Sequence, residues 1–594
     1  VKIDKWAIAI LLWGFVFRTT CATYLNVGFD EAYYYLYTQN LDWSYFDHPP
    51  LVAFTTGIGV WLTGKVTPFT IRIGGVFLYT GTLFFSYLAS RKLFGDRVAT
   101  LTLGILTTIP IFQIAFGILT LPDNALMFFW SICLWLCATE FFPSGESCDP
   151  IYYTRPYRPT YKLAFVGLLV GLSFLGKYHG ALLGCGLVLF CLISNRHRCA
   201  LFSIWTLAAV VLFLIAISPV LYWNSQHEWA SFQFQSGRAV PSVGYDLERL
   251  LVTILVGIGY LFPTFGFPIW WTSFRTFWEW LPFNKSHTNK IAQEVIMPNQ
   301  LAHDLVDQKR LLILCVSMPI FFGFTFMGGF IQILPSWHMP GFFGATLLLG
   351  ERAALVQAKR PKFIRNWLWG SGMVILPLLL ISLLHIHWGI AQKGGNMAIA
   401  GGFWEAKNDP STQMIDIEQL RQAFVDSPTL KTELEKADFV FSNNFFVAGQ
   451  VGMAIEPLGK KVTCFDEDLR GFAYWSQGTD FVGKTSLYVT SKQFMEDERF
   501  PQPLDKYKGY FQSLEKIADI PIRRGGQTVQ IFPVYRASPM LKPYPRPLPK
   551  TYAYLGINPK IWASPTLRYK FAQLEAPFGL VPLLRNSGSF RYQP

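Results

Sequence analysis

Leu201–Trp223 reads LFSIWTLAAVVLFLIAISPVLYW, without one charged side chain. As a helix rising 1.5 Å per residue, such a run crosses the roughly 30 Å hydrocarbon core of a bilayer. Comparable runs precede it at Trp6–Leu25, Phe69–Leu88, Val98–Leu119, Ala125–Phe142, Leu163–Leu175 and Ala181–Ile193. Others follow at Leu250–Phe274, Leu311–Leu334, Met339–Leu349 and Trp367–Ile386. Hydropathy therefore predicts an all-α polytopic membrane domain of about 11 transmembrane helices. Leu163–Ile193 is counted as two spans, a hairpin turning at Gly176-Lys177-Tyr178-His179-Gly180. Met339–Leu349 needs flanking residues to cross.

Composition agrees. The chain has 594 residues, of which 51% are hydrophobic, 17% aromatic and only 15% charged, against about 25% charged in soluble proteins. That excludes a disordered chain, a disulfide scaffold and an ordinary soluble enzyme. The net charge of +13 is placed to hold topology. Lys2, Lys5, Arg91, Lys92, Arg97, Arg196, Arg198, Arg310, Arg352 and Lys359 share one side of the alternating spans, while the other side holds few, such as Lys65, Lys177, Arg238 and Arg249. The positive-inside rule then sets the N-terminus in the cytoplasm and everything after about residue 389 outside, with the first run a true span. No basic-aromatic strip or zinc-finger spacing points to nucleic acid. Cys133, Cys137, Cys185, Cys191 and Cys315 lie in apolar runs and read as small buried hydrophobes.

After residue 390 the composition becomes mixed. Strand signals at Asp438–Ser442, Val462–Phe465, Ser486–Thr490 and Thr528–Phe532, with a helix near Gln450–Ile455, predict a small extracytoplasmic α/β domain over 391–537. From 538 to 594 a Pro-rich extension carries Pro539, Pro543, Pro545, Pro547 and Pro549. The membrane domain is expected to occupy 1–390.

The loop after the first run, 26–68, carries Gly28-Phe29-Asp30-Glu31-Ala32-Tyr33-Tyr34 and Phe46-Asp47-His48-Pro49-Pro50. Aromatic residues at that level suit an interfacial helix, and Asp30 and Glu31 suit the positive end of its dipole. The next outer loop, Thr120-Leu121-Pro122-Asp123-Asn124, adds a carboxylate between two apolar runs. Charged groups beside hydrocarbon cost about 2.5–3.5 kcal/mol on insertion scales and usually face a polar cavity. Asp30 and Asp123 are thus candidates for a general base with an orienting partner, or for ligands of a divalent cation. Lys177, Tyr178, Arg238 and His338 fall on the same side, with Arg72 in the opening turn of the second span. Singly, Arg72 or Lys177 also suits a snorkelling interface residue. Together these cations suit a phosphate whose lipid tail stays in the bilayer.

The two first-loop stretches resemble the signature of the dolichyl-phosphate-mannose–protein mannosyltransferase superfamily, in particular the bacterial branch containing the lipid A aminoarabinose transferases. Thr120-Leu121-Pro122-Asp123, Gly176-Lys177-Tyr178, Pro219–Trp223 with the following Asn224–Phe232, and Trp337-His338-Met339-Pro340 match that branch in order. Ala437-Asp438 and Gly483-Lys484 resemble it more loosely. The resemblance covers most of residues 1–390. It implies a GT-C glycosyltransferase fold and a polyprenyl-phosphate sugar donor, with a lipid, glycan or protein acceptor. It also implies Asp30 as catalytic base with Glu31 beside it, Asp123 as the second-loop carboxylate, and Tyr34 and Arg238 on the donor phosphate. His48 stands where the aminoarabinose transferases place a Lys, leaving Arg72 and Lys177 to supply permanent charge. No cofactor is required, although a divalent cation on Asp30 and Asp123 is compatible. The alternative classes are a transporter or flippase for a lipid-linked sugar, and a membrane scaffold. A transporter would carry mid-span charges and inverted repeats, whereas the spans read as nearly charge-free.

Overall fold

The structure, a computed structural model, describes residues 3–143, 157–239, 244–281, 298–492 and 504–546. Two units emerge among the described residues, one lying within 3–24 and 34–380, the other within 25–33 and 381–546. The division falls inside one helix, between Tyr33 and Tyr34.

The first unit is helical. Its described helices are α1 (Lys5–Tyr24), α2 (Phe29–Gln39, from Tyr34 on), α3 (Leu51–Thr63), α4 (Pro68–Phe94), α5 (Asp96–Thr108) and α6 (Asp123–Phe141). Next come α7 (Lys162–Gly176), α8 (Gly180–Ile193), α9 (Ile204–Gln226) and α10 (Ala230–Ala239). The last are α11 (Leu247–Tyr260), α12 (Pro263–Trp280), α13 (Pro298–Met327), α14 (Pro335–Lys359) and most of α15 (Pro361–Trp388). Local signals explain the ends. Thr67 and Thr70 form a reciprocal capping box around Pro68, and Ser203 caps α9 through the Trp205 N–H. Small residues let backbones meet: a Cβ on Gly167 of α7 would lie 2.0 Å from the Ala209 carbonyl oxygen of α9.

The count of about eleven spans needs correction. Among the described residues, six helices are long and apolar enough to cross a membrane: α1, α4, α6, α9, the part of α13 from Asp304, and α15. A seventh is reached if α11 and α12 are taken as one span, but they meet at 115°. Pro263 disfavours helical geometry in the residue before it, and Phe262 turns out at φ +67°. Elsewhere the apolar run is continuous but the helix is not. Val98–Leu119 divides into α5 and a π-turn at Phe112–Phe116. Leu163–Ile193 makes helices of only 15 and 14 residues. Met339–Leu349 lies within α14, whose later turns carry Glu351, Arg352 and Lys359. The spans are also not free of charge. Arg18 of α1 is fully buried, donating to Gln113 at 2.9 Å and Thr80 at 3.0 Å, with its guanidinium 5.2 Å from the Tyr79 ring.

The second unit is β-rich. Strands β1 (Phe439–Ser442), β2 (Val462–Cys464), β3 (Ser486–Val489), β4 (Phe511–Arg524) and β5 (Gln527–Met540) form one sheet in the order β2-β1-β3-β5-β4. The first three pair in parallel, with Val440 opposite both Val462 and Leu487. The last two add antiparallel, with Tyr488 opposite Tyr535 and Ile520 opposite Phe532. Gly525 and Gly526, both at positive φ, make the two-residue β4–β5 turn, where the hairpin twist requires that geometry. Helices α16 (Ile417–Asp426), α17 (Pro428–Lys436) and α18 (Phe445–Ile455) accompany the sheet, and Phe439, Phe441, Phe465, Tyr488 and Tyr507 centre its aromatic core. β5 passes through Ser538 to Met540, and residues 547–594 of the Pro-rich extension lie outside the described residues.

Candidate active site

In the helical unit the site starts from the short turn before α6. The Asn124 amide accepts from the Leu121 N–H at 2.7 Å and donates to the Phe116 and Leu119 carbonyls at 2.6 and 3.1 Å. This presents Asp123 in the first turn of α6, inside the packed helices at 2% exposure. The α7–α8 hairpin brings Lys177, 6% exposed, to meet it. The ammonium reaches both carboxylate oxygens, at 2.9 and 3.0 Å, and lies 3.4 Å from the Ser336 hydroxyl. Gly176 makes the approach possible, since a Cβ there would stand 2.4 Å from the Leu126 backbone nitrogen.

Ser336 opens a second contact through its neighbour. The Arg238 guanidinium lies 4.9 Å from the Trp337 ring and 5.4 Å from Phe234, which packs on Phe46 at 4.7 Å. Gln235 donates to the Asp47 carbonyl at 2.8 Å, the Asp47 carboxylate accepts from the Tyr37 hydroxyl, and Ser231 donates to the Tyr45 carbonyl at 2.9 Å. The bonds from Ser231 and Gln235 tie the Tyr45–Asp47 stretch to α10, and the Tyr37 bond ties it to α2. His48 sits edge-on to Tyr34 with ring centroids 5.5 Å apart, and Tyr178 packs on Phe174 and Phe232. Asp123, Lys177 and Arg238 are therefore linked through Ser336-Trp337, with His48 on the adjoining turn and Tyr34 of α2 against its ring.

Two further expected residues are buried in the same unit. Arg72 is fully buried and donates to the Ala22 carbonyl of α1 at 3.1 Å. His338 is 2% exposed and packs edge-on against Phe342, and neither ring nitrogen finds a hydrogen-bond partner among the described residues.

Asp30 and Glu31 belong to the second unit. Both stand in the first turn of α2, Asp30 half-buried and Glu31 buried. The Glu31 carboxylate accepts from the Gly28 N–H at 3.1 Å, closing the helix start. The segment is tied to the rest of its unit by a Val27–Ile415 bridge and by the Asn26 amide, which donates to the Ile386 carbonyl at 3.3 Å. Among the described residues no group of three or more His, Cys, Asp or Glu side chains is gathered to hold a metal, and both Asp123 oxygens already accept from Lys177.

The sequence reading missed Ser336, Trp337, Asp47 and Gln235 as members of this contact set. Trp337 stands out in the sequence only as the neighbour of His338; its contact with Arg238 needs the fold. Nothing in the sequence marked Ser336 or Gln235.

Comparison with known proteins follows this geometry. Residues 47–144 and 151–223 match the family model for dolichyl-phosphate-mannose-protein mannosyltransferase. The lipid A galacturonosyltransferase RgtD of Rhizobium johnstonii is 23% identical over 378 residues, 63% of this chain and 70% of that protein. ArnT from Cupriavidus metallidurans in the apo state superposes with a TM-score of 0.55 at 14% identity, covering 89% of this chain and 97% of that one. The same protein bound to undecaprenyl phosphate gives 0.53 at 14% identity over 89% and 98%. The chain is a polytopic membrane protein with the GT-C fold of ArnT, and it is similar to the dolichyl-phosphate-mannose-protein mannosyltransferases over residues 47–144 and 151–223 and to the lipid A galacturonosyltransferase RgtD.

Proposed function

We propose that the chain is an integral-membrane glycosyltransferase that moves a sugar from a polyprenyl-phosphate donor to a lipid, glycan or protein acceptor. The work is done on the outer face of a bacterial inner membrane, with the N-terminus in the cytoplasm. The observation that carries this is the linked set of buried Lys177 with Asp123 and Ser336, and Arg238 over Trp337. Such a set suits a phosphate whose tail remains among apolar helices. The fold it stands in has a solved example bound to undecaprenyl phosphate, and the curated relative is named for galacturonosyl transfer to lipid A.

In the proposed reaction Asp30 takes the acceptor hydroxyl proton as that oxygen attacks the anomeric carbon. The carbon–oxygen bond to phosphate breaks, the electron pair leaves with the lipid phosphate, and configuration inverts. Arg238, Lys177 and His48 stabilise the charge gathering on the leaving phosphate, with Tyr34 and Tyr178 as neutral donors. A general base contributes about 10²–10⁴ in rate. The test uses purified protein, undecaprenyl-phosphate-linked galacturonic acid and lipid A. Wild type should form glycosylated lipid A, and Asp30→Asn should lose at least about 100-fold in kcat while still binding undecaprenyl phosphate. Wild-type turnover in Asp30→Asn would remove the base, and no transfer by wild type would remove this donor–acceptor pair.

A further inference from the structure

The turn that carries Asp30 is built into the β-rich unit by contacts that serve Tyr33, three residues along. Helix α18 meets it backbone to backbone at Gly449, where a Cβ would lie 2.8 Å from the Tyr33 nitrogen and 3.0 Å from its Cα. A Cβ contact under 3.0 Å against main chain has no side chain to yield, so only glycine fits there without a shift. On the far side the Gly471 N–H donates to the Tyr33 hydroxyl at 2.9 Å. A Cβ on Gly471 would lie 2.9 Å from that same oxygen and 2.6 Å from Trp475. The Tyr33 ring is walled by Phe445, Phe472 and Trp475 at centroid distances of 5.5, 6.1 and 5.9 Å. Phe29, one residue before Asp30, packs on Phe446 at 5.3 Å.

The loop that supplies Gly471 is itself held in an uncommon geometry. Arg470 has φ +46°, with its guanidinium 4.0 Å from the Phe445 ring. A non-glycine residue in that region costs on the order of 1–3 kcal/mol, and it persists where the surroundings over-determine it. The result is a short helical turn gripped from two sides, with Asp30 half-buried beside it while Phe29, Glu31, Ala32 and Tyr33 are buried.

We propose that Gly449 and Gly471, acting through Tyr33, are positioning residues that fix the orientation of the Asp30 carboxylate for proton transfer. This rests on Asp30 being the base. It adds that residues of the C-terminal sequence, more than 400 positions away, set the rate of the chemical step and leave donor affinity alone. Displacing a reacting group by about 1 Å costs up to about 100-fold.

The experiment compares Gly449→Ala, Tyr33→Phe and Asp30→Asn with wild type as full chains in nanodiscs. The donor is undecaprenyl-phosphate-linked galacturonic acid and the acceptor lipid A. Gly449→Ala should lose at least tenfold in kcat and Tyr33→Phe about three- to tenfold, each with donor KM within twofold. Hydrogen exchange at residues 29–36 should quicken in both. If Gly449→Ala fails to fold, Tyr33→Phe alone decides. Wild-type kcat and exchange in Tyr33→Phe, with Asp30→Asn inactive, overturn the positioning role and spare the base. Full activity in Asp30→Asn overturns the base itself, whatever the other variants do.

Discussion

Removing both partners of the Lys177–Asp123 pair should destabilise the protein by clearly less than the sum of removing each alone. The ammonium sits 2.9 and 3.0 Å from the two oxygens. At 2.9 Å and an effective dielectric of about 20, the Coulomb attraction is about 6 kcal/mol. Much of that is offset by taking both groups out of water, yet a lone survivor keeps the desolvation cost without the attraction, so truncation costs about 3–5 kcal/mol. Lys177→Met and Asp123→Asn should each lose about that much, and the double variant Asp123→Asn/Lys177→Met should recover about 2–3 kcal/mol relative to the sum. The assay is reversible unfolding of the full chain in mixed detergent micelles, closed as a double-mutant cycle. Single losses below about 1 kcal/mol that add within about 0.5 would refute a buried, mutually dependent pair. The same cycle read through activity separates two roles. If Lys177 contributes charge to the donor phosphate, Lys177→Met raises donor KM even where the double variant restores the fold.

Three further outcomes are expected. Arg238→Ala and Trp337→Ala should each raise donor KM about fivefold, since a half-buried cation–π contact is worth about 1 kcal/mol, and their effects should be sub-additive; independent effects in steady-state kinetics would contradict a shared role. Gly176→Val should separate α7 from α6, where a Cβ already stands 2.4 Å from the Leu126 nitrogen, and cost about 3 kcal/mol or the fold itself; an unchanged melting curve would count against that packing. In the β-rich unit, burial by itself would raise the Asp409 carboxyl, but hydrogen bonds from His385 and Ser411 and the Arg524 charge hold it down at about 2. Because this folded-state value lies below the ordinary 3.8, its stabilisation is complete above about pH 4 and is lost as the pH falls towards 2, about 2 kcal/mol in all. Acid titration of unfolding should show that slope in wild type and lack it in Asp409→Asn.

The sequence carried the helical membrane character because unbroken apolar runs leave no other economical structure. It overcounted the spans because hydropathy registers apolar length and is blind to geometry. Phe262-Pro263 turns one run through 115°, and Gly176 and Gly180 shorten another pair. Strands β1, β2, β3 and β5 showed as short apolar runs, whereas β4 did not. Its Phe511–Arg524 includes Pro521 and shifts register between Lys516 and Ala518, so the alternation that betrays a strand is broken. Asp123 and Lys177 were legible as residues on one side of the membrane, but their pairing needed the α7–α8 hairpin. Arg18 passed unnoticed because its partners Gln113 and Thr80 lie in other apolar runs. The attachment of Leu25–Tyr33 to the C-terminal unit had no local signal at all, since its partners Ile386, Ile415 and Gly449 follow hundreds of positions later.

That attachment bears on inheritance. The second unit is not a contiguous cassette, because the strip that leaves the first helix and opens the second completes it: Val27 pairs with Ile415, Phe29 with Phe446, and Tyr33 seats between Gly449 and Gly471. A recombination event that imported a foreign C-terminal half would bring in the socket without its plug. Chimeras joined near residue 390 should therefore misassemble unless the short N-terminal strip travels with them, and substitutions in either piece should be answered by matched changes in the other.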